Sequence, residues 1–500
     1  MSITGAGSIT AANVQAVNNM NNQLNTLSTE LGTGEAAQTY SGLGSQAGMA
    51  LALGAQLAAV NGFSSSTTTV GTTLSVAQSV LTQLGASGTS VQQAINQQSS
   101  FTLDGNGKTS TQEAAVSQLD QILSLLNTQV GDNYIFSGSA TNQPSVASAT
   151  DILNGNGAQA GLTQVISERQ QADLGASGLG RLTATATGPN LTVSQDGSPF
   201  GFALASVTSS LTGATVTGPS GSPPSVAVAL GANPSPGDSI KFSLTLPDGT
   251  SQTVTLQATT NSPPGANQFT IGANATATAT NLQTALTGAL SSLAQTALPA
   301  ASAIAASNNF FNASPPLRVS GPPFDTAMSL VNGTSANTVS WYKGESGSTP
   351  ARQTATAAVG PSMTIAYGMR ANEPAISSLV ANVAALAATS FAASSSTAQA
   401  SYQALSQKVA ANLEPQSGTQ SISTIEADLA NAQTTVTNAT TLNTQTQTSL
   451  QDMLQNIEGV NQNQIGEQIL TLQNSLSASL AVTARLAQLS LVNYLAPSTG

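Results

Sequence analysis

Both ends of this 500-residue chain carry apolar residues at alternating steps of three and four, and this spacing constrains the fold more than any other feature. Near the N-terminus the repeat runs through Val17, Met20, Leu24, Leu27 and Leu31. After a turn-rich break over 39–44 it resumes in two stretches: Val70, Leu74, Ala77, Leu81, Leu84, Val91 and Ile95, then Val116, Leu119, Leu123, Leu126 and Val130. This 3.5-residue spacing is typical of a coiled-coil seam, with an ordinary helical-bundle core as the alternative.

The C-terminal end repeats the pattern. Its apolar positions are Ile422, Ile425, Leu429, Ala432 and Val436, then Leu450, Met453 and Ile457, and finally Leu472, Leu476, Leu480, Leu486 and Leu489. One straight helix from Ser421 to Tyr494 would be roughly 110 Å long. Gly459 and Gly466 are predicted positions for a bend or break, since Gly costs about 1 kcal/mol relative to Ala in a helix. A stripe this long needs cover from the N-terminal helices, from neighbouring subunits, or from both.

Between about 180 and 365 the sequence becomes rich in Gly, Pro, Thr and alternating apolar residues. The alternation at 240–246, the turn residues Pro247-Asp248-Gly249 and the return through Val254 and Leu256 predict a β-hairpin. One helix is expected within this region, with Leu282, Leu286, Leu290 and Leu293 on one face. The predicted fold class is mainly α: long N- and C-terminal helices form a coiled-coil or helical-bundle core around a β-rich (α+β) central insertion.

Five segments follow from this organisation. They are an N-terminal coiled-coil assembly segment at 1–45, an N-terminal helical domain at 46–140, a variable β-rich surface insertion at 141–365 (hairpin near 238–258, helix near 280–298), a C-terminal helical domain at 366–460 and a C-terminal coiled-coil assembly segment at 461–500. The predicted subunit-packing residues are Val17, Met20, Leu24, Leu27, Leu31, Leu472, Leu476, Leu480, Leu486 and Leu489.

Only 6% of the residues are charged, far below the usual quarter, and Asn, Gln, Ser and Thr fill the polar positions. Low charge removes repulsion between copies, so this surface suits a chain that packs against itself; a low-complexity secreted protein is the alternative. The net charge is −11 and the ten Lys and Arg are scattered, which argues against nucleic-acid and anionic-membrane partners.

The sequence contains no uninterrupted run of about 18 apolar residues, so we expect no membrane span. The N-terminus lacks the features of a Sec signal peptide, so we expect export without a cleaved signal.

The chain has no histidine and no cysteine, which removes the commonest general base, metal ligand and nucleophile. Its 21 acidic residues are dispersed, and the closest pair, Glu426 and Asp428, points to different sides of a helix. We therefore expect that the chain is not an enzyme and that it has no cofactor and no metal site.

Two Gly-rich segments, 104–108 and 175–180, are interpreted as loops rather than as calcium or dinucleotide sites. Trp341-Tyr342 is interpreted as core rather than as a binding platform.

Five segments resemble one protein family. Residues 24–57, LNTLSTELGTGEAAQTYSGLGSQAGMALALGAQL, are similar to the N-terminal helical region of bacterial flagellins and of the hook–filament junction protein. Residues 133–138, NYIFSG, resemble the segment that ends that region. Trp341-Tyr-Lys-Gly344 and the later IAYGMRANE at 365–373 resemble the return into the C-terminal helices, and 476–495 resembles the family's terminus.

The resemblance implies termini that assemble as a coiled coil in the filament core, a solvent-facing insertion, and type III export with an export chaperone. It also implies partners among copies of the chain and other flagellar axial proteins, and termini that order only on assembly. Gly34-Glu-Ala-Ala37 and 40–44 depart from the familiar flagellin pattern, so receptor recognition is not carried over. A filament subunit of the extracellular flagellum, serving motility, is the first hypothesis; the junction protein is the second, and a secreted surface adhesin is the more distant one.

Overall fold

The computed structural model describes residues 3–98, 100–391 and 393–494, and the side chains of 11–98, 100–391 and 393–488. The fold is mixed α+β with a helical majority, 54% helix and 17% strand. Contacts divide the chain into two compact units. Unit 1 comprises Met1–Thr69, Ala358–Thr364 and Thr435–Gly500; unit 2 comprises Val70–Ala357 and Ile365–Thr434. These boundaries differ from the five segments predicted above.

Eleven helices occur in the described chain. They are α1 Ile3–Thr33, α2 Ala47–Gln97, α3 Ser110–Leu126, α4 Ala149–Asn154, α5 Leu162–Leu174, α6 Ala275–Gln295, α7 Ala297–Asn312, α8 Pro374–Ala388, α9 Ser396–Leu413, α10 Ile422–Glu458 and α11 Gln462–Tyr494. Two 3-10 helices cover Tyr40–Gln46 and Ala351–Thr354. The predicted break after α1 and the predicted loops at 104–108 and 175–180 are confirmed.

Unit 1 pairs the two ends of the chain, because α1 packs along α11. Beside this pair the backbone makes a short antiparallel bridge between Glu35 and Gly459. The Ala36 N–H donates to the Glu458 carbonyl at 2.7 Å, and the Val460 N–H donates to the Gly34 carbonyl at 3.1 Å. Of the kinds of cover expected for the C-terminal stripe, the N-terminal helices therefore provide part, because α1 packs on α11.

The long C-terminal stripe is two helices, broken at one of the two predicted glycines. A Cβ at Gly459 would lie 2.5 Å from the Gln455 carbonyl oxygen, so this turn accepts only a glycine without adjustment. Gly466 has open space around its Cβ position and remains inside α11. Of the two glycines, Gly459 is therefore the one that ends a helix.

The β part of unit 2 contains two four-stranded sheets, ordered β10-β9-β8-β5 and β3-β4-β7-β6. Their strands are β3 Leu182–Thr187, β4 Asn190–Gln195, β5 Ala203–Ser209, β6 Ala214–Ser220, β7 Ser225–Leu230, β8 Ser239–Thr245, β9 Ser251–Thr259 and β10 Gln268–Thr270. β8 and β9 are the predicted hairpin, with Ile240 opposite Leu256 and Phe242 opposite Val254. Both sheets share one hydrophobic core with α6. Of its predicted apolar face, Leu282, Leu286 and Leu290 are buried and Leu293 is partly buried.

Three short two-stranded sheets complete the strands. They are β1 Gln129–Val130 with β2 Asn133–Tyr134, β11 Leu317–Val319 with β12 Leu330–Asn332, and β13 Thr356–Gly360 with β14 Met363–Ala366. The prediction that Val130 continues the seam of α3 is wrong. The Asn127 side chain after the helix both donates to and accepts from the Val146 backbone, which turns the chain into β1.

The helical part of unit 2 is centred on α8, in which 13 of 15 residues are buried. It packs against α3, α7 and α9. The buried Gln112 amide, which completes the capping box of α3, also donates to the Leu386 and Thr389 carbonyls. α7 lies inside the predicted insertion at 141–365, yet it packs against α8 and α9, which follow that insertion in sequence, as well as against α5 within it.

One helical stretch, Tyr40–Gln97, is long and apolar enough to cross a membrane by length and composition. An 18-residue window in it has a mean hydropathy of 1.3, and 11% of that window is buried. We expected no membrane span because the sequence has no uninterrupted apolar run of sufficient length. This window was missed because its apolar residues are interrupted by polar ones. α6 and α7, bent by 42°, pass the same test together, but their apolar residues are largely buried in unit 2.

Candidate assembly surface

Unit 1 has most of the exposed large apolar side chains of the described residues. Ten of the thirteen exposed large apolar side chains among the described residues belong to it: Val14, Leu31, Tyr40, Met49, Leu51, Leu442, Met453, Leu470, Leu480 and Val482. Its buried apolar residues are few: Ala50, Val60, Val359, Val436, Ala439, Leu450 and Ile465. Single exposed hydrophobic residues are normal on any protein, but such a concentration beside so small a core indicates a surface that another molecule covers.

The same unit carries almost no charge. Its segments contain six charged residues: Glu30, Glu35, Asp452, Glu458, Glu467 and Arg485. No charged side chain occurs between Glu35 and Asp104, a stretch that includes all of α2. Desolvating this surface therefore removes few ions from water, so its burial costs little electrostatic free energy.

The structure brings the predicted packing residues together on α1 and α11, but not all on the covered side. On α1, Val17, Met20, Leu24 and Leu27 are partly buried, while Leu31 is 36% exposed. On α11, Leu472, Leu476 and Leu486 are partly buried, while Leu480 is 51% exposed. The side chain of Leu489 lies outside the described residues. The prediction missed Leu470 and Val482, which lie off the heptad but are as exposed as Leu480.

A cleft of about 780 Å³ separates α1 from α11 along part of their length. Leu27 and Leu472 contribute apolar surface, and the rest of the lining is polar: Asn22, Gln23, Thr26, Gln464, Glu467, Gln468, Thr471 and Ser475. Apart from Glu467 these side chains are uncharged amides and hydroxyls, which both donate and accept hydrogen bonds. Such a lining suits a polar segment of another polypeptide.

Three of the segments that carry the family resemblance, residues 133–138, 341–344 and 365–373, meet in unit 2. Together with the adjoining Glu345 they form what we call the motif junction. The Gly138 N–H donates to the Met369 carbonyl, and the Ala371 N–H donates to the Phe136 carbonyl, at 2.9 and 2.8 Å. Gly138 has φ +65°, and a Cβ there would lie 2.7 Å from a Glu345 carboxylate oxygen. These distant parts of the sequence are therefore held together by backbone contacts that need glycine.

Buried side chains complete the motif junction. Trp341 is 4% exposed and its indole N–H donates to the Phe311 carbonyl at 2.8 Å, which confirms its interpretation as core. The Arg352 guanidinium pairs with the buried Glu373 carboxylate, with N–O distances of 2.8 and 2.6 Å. Burial raises the pKa of Tyr342 to about 12, with Arg370 opposing and Glu345 adding to the shift.

Further buried charge pairs lie in unit 2, and composition alone did not predict them. Asp173 pairs with Arg169 at 2.8 Å and accepts from the Gly201 N–H at 2.8 Å; burial raises its pKa although Arg169 lowers it. The Lys408 ammonium on α9 reaches Asp248 in the β8–β9 turn at 2.5 Å. The Arg169–Asp173 pair lies within α5, where Asp173 also holds the Gly201 backbone, whereas Lys408 and Asp248 join two distant elements. Because these charges are paired, they serve packing.

Within the described residues, no group of three or more carboxylates lies together to hold a metal ion. The Asp104 carboxylate instead accepts from the Asn106 and Lys108 N–H groups and closes the turn between α2 and α3. No protein-family model matches the chain, and a search of curated proteins finds no significant match. The exposed surface of unit 1 and the resemblance of the segments described above remain as the observations that bear on function.

Proposed function

We propose that the chain is a non-enzymatic structural subunit that polymerises with copies of itself into the bacterial flagellar filament and so serves motility. The observation that carries this proposal is the concentration of exposed apolar residues on the sparsely charged helices of unit 1. Fully burying one large apolar side chain contributes about 1.5–3 kcal/mol. Ten half-exposed side chains would therefore contribute on the order of 10 kcal/mol on assembly, against the cost of ordering the helices.

The proposal includes the finer architecture that the resemblance implies. α1 and α11 would form a coiled coil with the same helices of neighbouring subunits, and export would use a type III route with a chaperone. The α1–α11 pair supports this, since each helix covers one side of the other and leaves the remaining sides exposed.

The hook–filament junction protein of the same family is the second candidate, favoured by the resemblance of residues 476–495. The two candidates differ in number of copies. A filament subunit forms long polymers and is abundant in each flagellum, whereas a junction protein stops at a short ring. Polymer length under the electron microscope and copies per flagellum by quantitative mass spectrometry separate them.

The decisive experiment compares two exposed leucines. Leu480→Asp places an unpaired charge on the surface of α11 that we expect to be buried between copies, so sedimentation and electron microscopy should show that polymerisation is lost. Because Leu480 is 51% exposed, the single chain should keep its fold and its circular dichroism. Leu174→Asp is the matched control: Leu174 is also exposed, at 37%, but lies in unit 2, so this variant should polymerise.

Two results would contradict the proposal. One is normal polymer from Leu480→Asp together with normal polymer from the wild type. The other is a wild-type chain that stays monomeric at high concentration but floats with lipid vesicles, which would assign the apolar surface, including the 40–97 stretch, to a membrane.

A further inference from the structure

Arg485 is the one basic residue in the sequence of unit 1, against five acidic ones. It lies on α11, is exposed, and makes no ion pair or hydrogen bond with any described residue. The unit therefore has a single cation, and none of its acidic side chains is paired with that cation within the chain. Arg485 thus stands out as a candidate for a contact with another molecule.

Glu467 lies on the same helix, eighteen positions before Arg485. Eighteen residues are five full turns of an α-helix, so the two side chains point to the same side of α11, about 27 Å apart along its axis. Both are exposed, and Glu467 also contributes to the lining of the cleft between α1 and α11. No described residue makes a hydrogen bond or ion pair with the Glu467 carboxylate.

At this separation the two charges cannot pair within one chain, but they can pair between two. We propose that Arg485 of one copy pairs with Glu467 of a second copy whose α11 runs parallel and is shifted by about eighteen residues, or about 27 Å. The contact uses different patches on the two copies. Each added copy therefore presents a free Glu467 or Arg485 for the next one, and the assembly remains open.

The role of this pair is to select the register. Apolar residues repeating every three or four positions allow two helices to pack in several axial registers of similar free energy. An exposed ion pair adds little to total affinity, but a wrong register leaves both charges unpaired or places like charges together. Because Arg485 is the one cation in the sequence of unit 1, every alternative ion pair between two copies of this unit would also have to use Arg485. This inference rests on the proposed function, since it assigns the contact that sets the stagger of the polymer.

A charge swap tests the pair. Arg485→Glu and Glu467→Arg should each raise the concentration needed for polymerisation roughly fivefold or more. The double variant, with both changes, should return it to within about twofold of the wild type. The matched control combines Arg485→Glu with Asp452→Arg, which restores the same net charge at an exposed position on another helix. That control should remain defective.

Each outcome decides the matter. Single variants that polymerise like the wild type, or a double variant that stays defective with unchanged circular dichroism, would overturn the pair. Rescue by Asp452→Arg would show that net charge matters and not this stagger, and would overturn it as well. A wild-type chain that never polymerises would instead overturn the proposed function, and the pair with it.

Discussion

Tyr342 and Arg370 both lie in the motif junction, and each has a buried polar atom without a hydrogen-bond partner among the described residues: the phenol oxygen of Tyr342 and Nε of Arg370. Burial penalises the charged phenolate, which explains why the pKa of Tyr342 rises to about 12 although Arg370 favours ionisation. The phenol is therefore held in its neutral form throughout the physiological range.

This environment predicts a late titration step. Absorbance titration of the folded chain, which has six tyrosines, should show one phenol ionising near pH 12, and Tyr342→Phe should remove that step. Because the folded pKa lies above the ordinary value of 10, the stabilisation is complete below pH 10 and is lost as the pH rises toward 12. The variant should therefore lose stability less steeply over this range. Persistence of the late step in Tyr342→Phe would assign it to another tyrosine.

At the scale of elements, the end of α10 and the start of α11 depend on a backbone contact rather than on side chains. Gly459 lies in the bridge to Glu35, and the Gly459 N–H donates to the Gln455 carbonyl at 2.8 Å. Gly466, seven residues later, lies in a regular helix with open space around it. The two glycines thus differ in what a methyl group would encounter.

Two alanine substitutions should accordingly have opposite effects. Gly459→Ala should lower the stability of unit 1, because its Cβ would lie 2.5 Å from the Gln455 oxygen and the turn must shift. Gly466→Ala should stabilise α11 by about 0.5–1 kcal/mol, because alanine loses less backbone entropy than glycine in a helix. The dissociation temperature of the polymer and the helix content of the monomer measure both effects. Equal effects from the two substitutions would contradict this account of the break.

At the scale of the whole molecule, the two units differ in how they are stabilised. Unit 2 has a shared sheet–helix core, a buried central helix and paired internal charges. Unit 1 has a small buried core and long helices with exposed apolar sides. Helices without tertiary cover are marginal in water, so in the proposed polymer unit 1 should gain most of its stability from contacts with other copies.

Hydrogen exchange measures this difference. In the monomer, amides of residues 1–35 and 460–500 should exchange rapidly, while buried helix α8 and strands β8 and β9 should be protected. In the polymer the terminal residues should become protected, and unit 2 should change little. Leu480→Asp, held as monomer at the same concentration, is the control that separates assembly from concentration. Strong protection of both termini in the wild-type monomer would show that unit 1 is stable alone.

Local sequence patterns predicted those helices, strands and turns that are determined by residues close together in the sequence. The three-and-four repeat predicted α1, α2 and α11, the alternation around Pro247-Asp248-Gly249 predicted the β8–β9 hairpin, and Gly459 was one of two positions predicted for the C-terminal break. The spacing did not locate the exposed Leu470 and Val482, because a heptad repeat identifies a face and not the partner that covers it. The low charge was evident from composition alone.

Tertiary structure decided what depends on distant residues. α7 lies within a sequence region of β character, but contacts with α5, α8 and α9 place it in the helical part of unit 2. Val130 continues an apolar repeat, but Asn127 binds Val146 and directs the chain into a strand. The motif junction joins segments about 200 residues apart through backbone hydrogen bonds, which leave no periodic trace in the sequence. Periodicity in the sequence shows which side of a helix or strand is apolar, whereas long-range contacts determine which residues pack against that side.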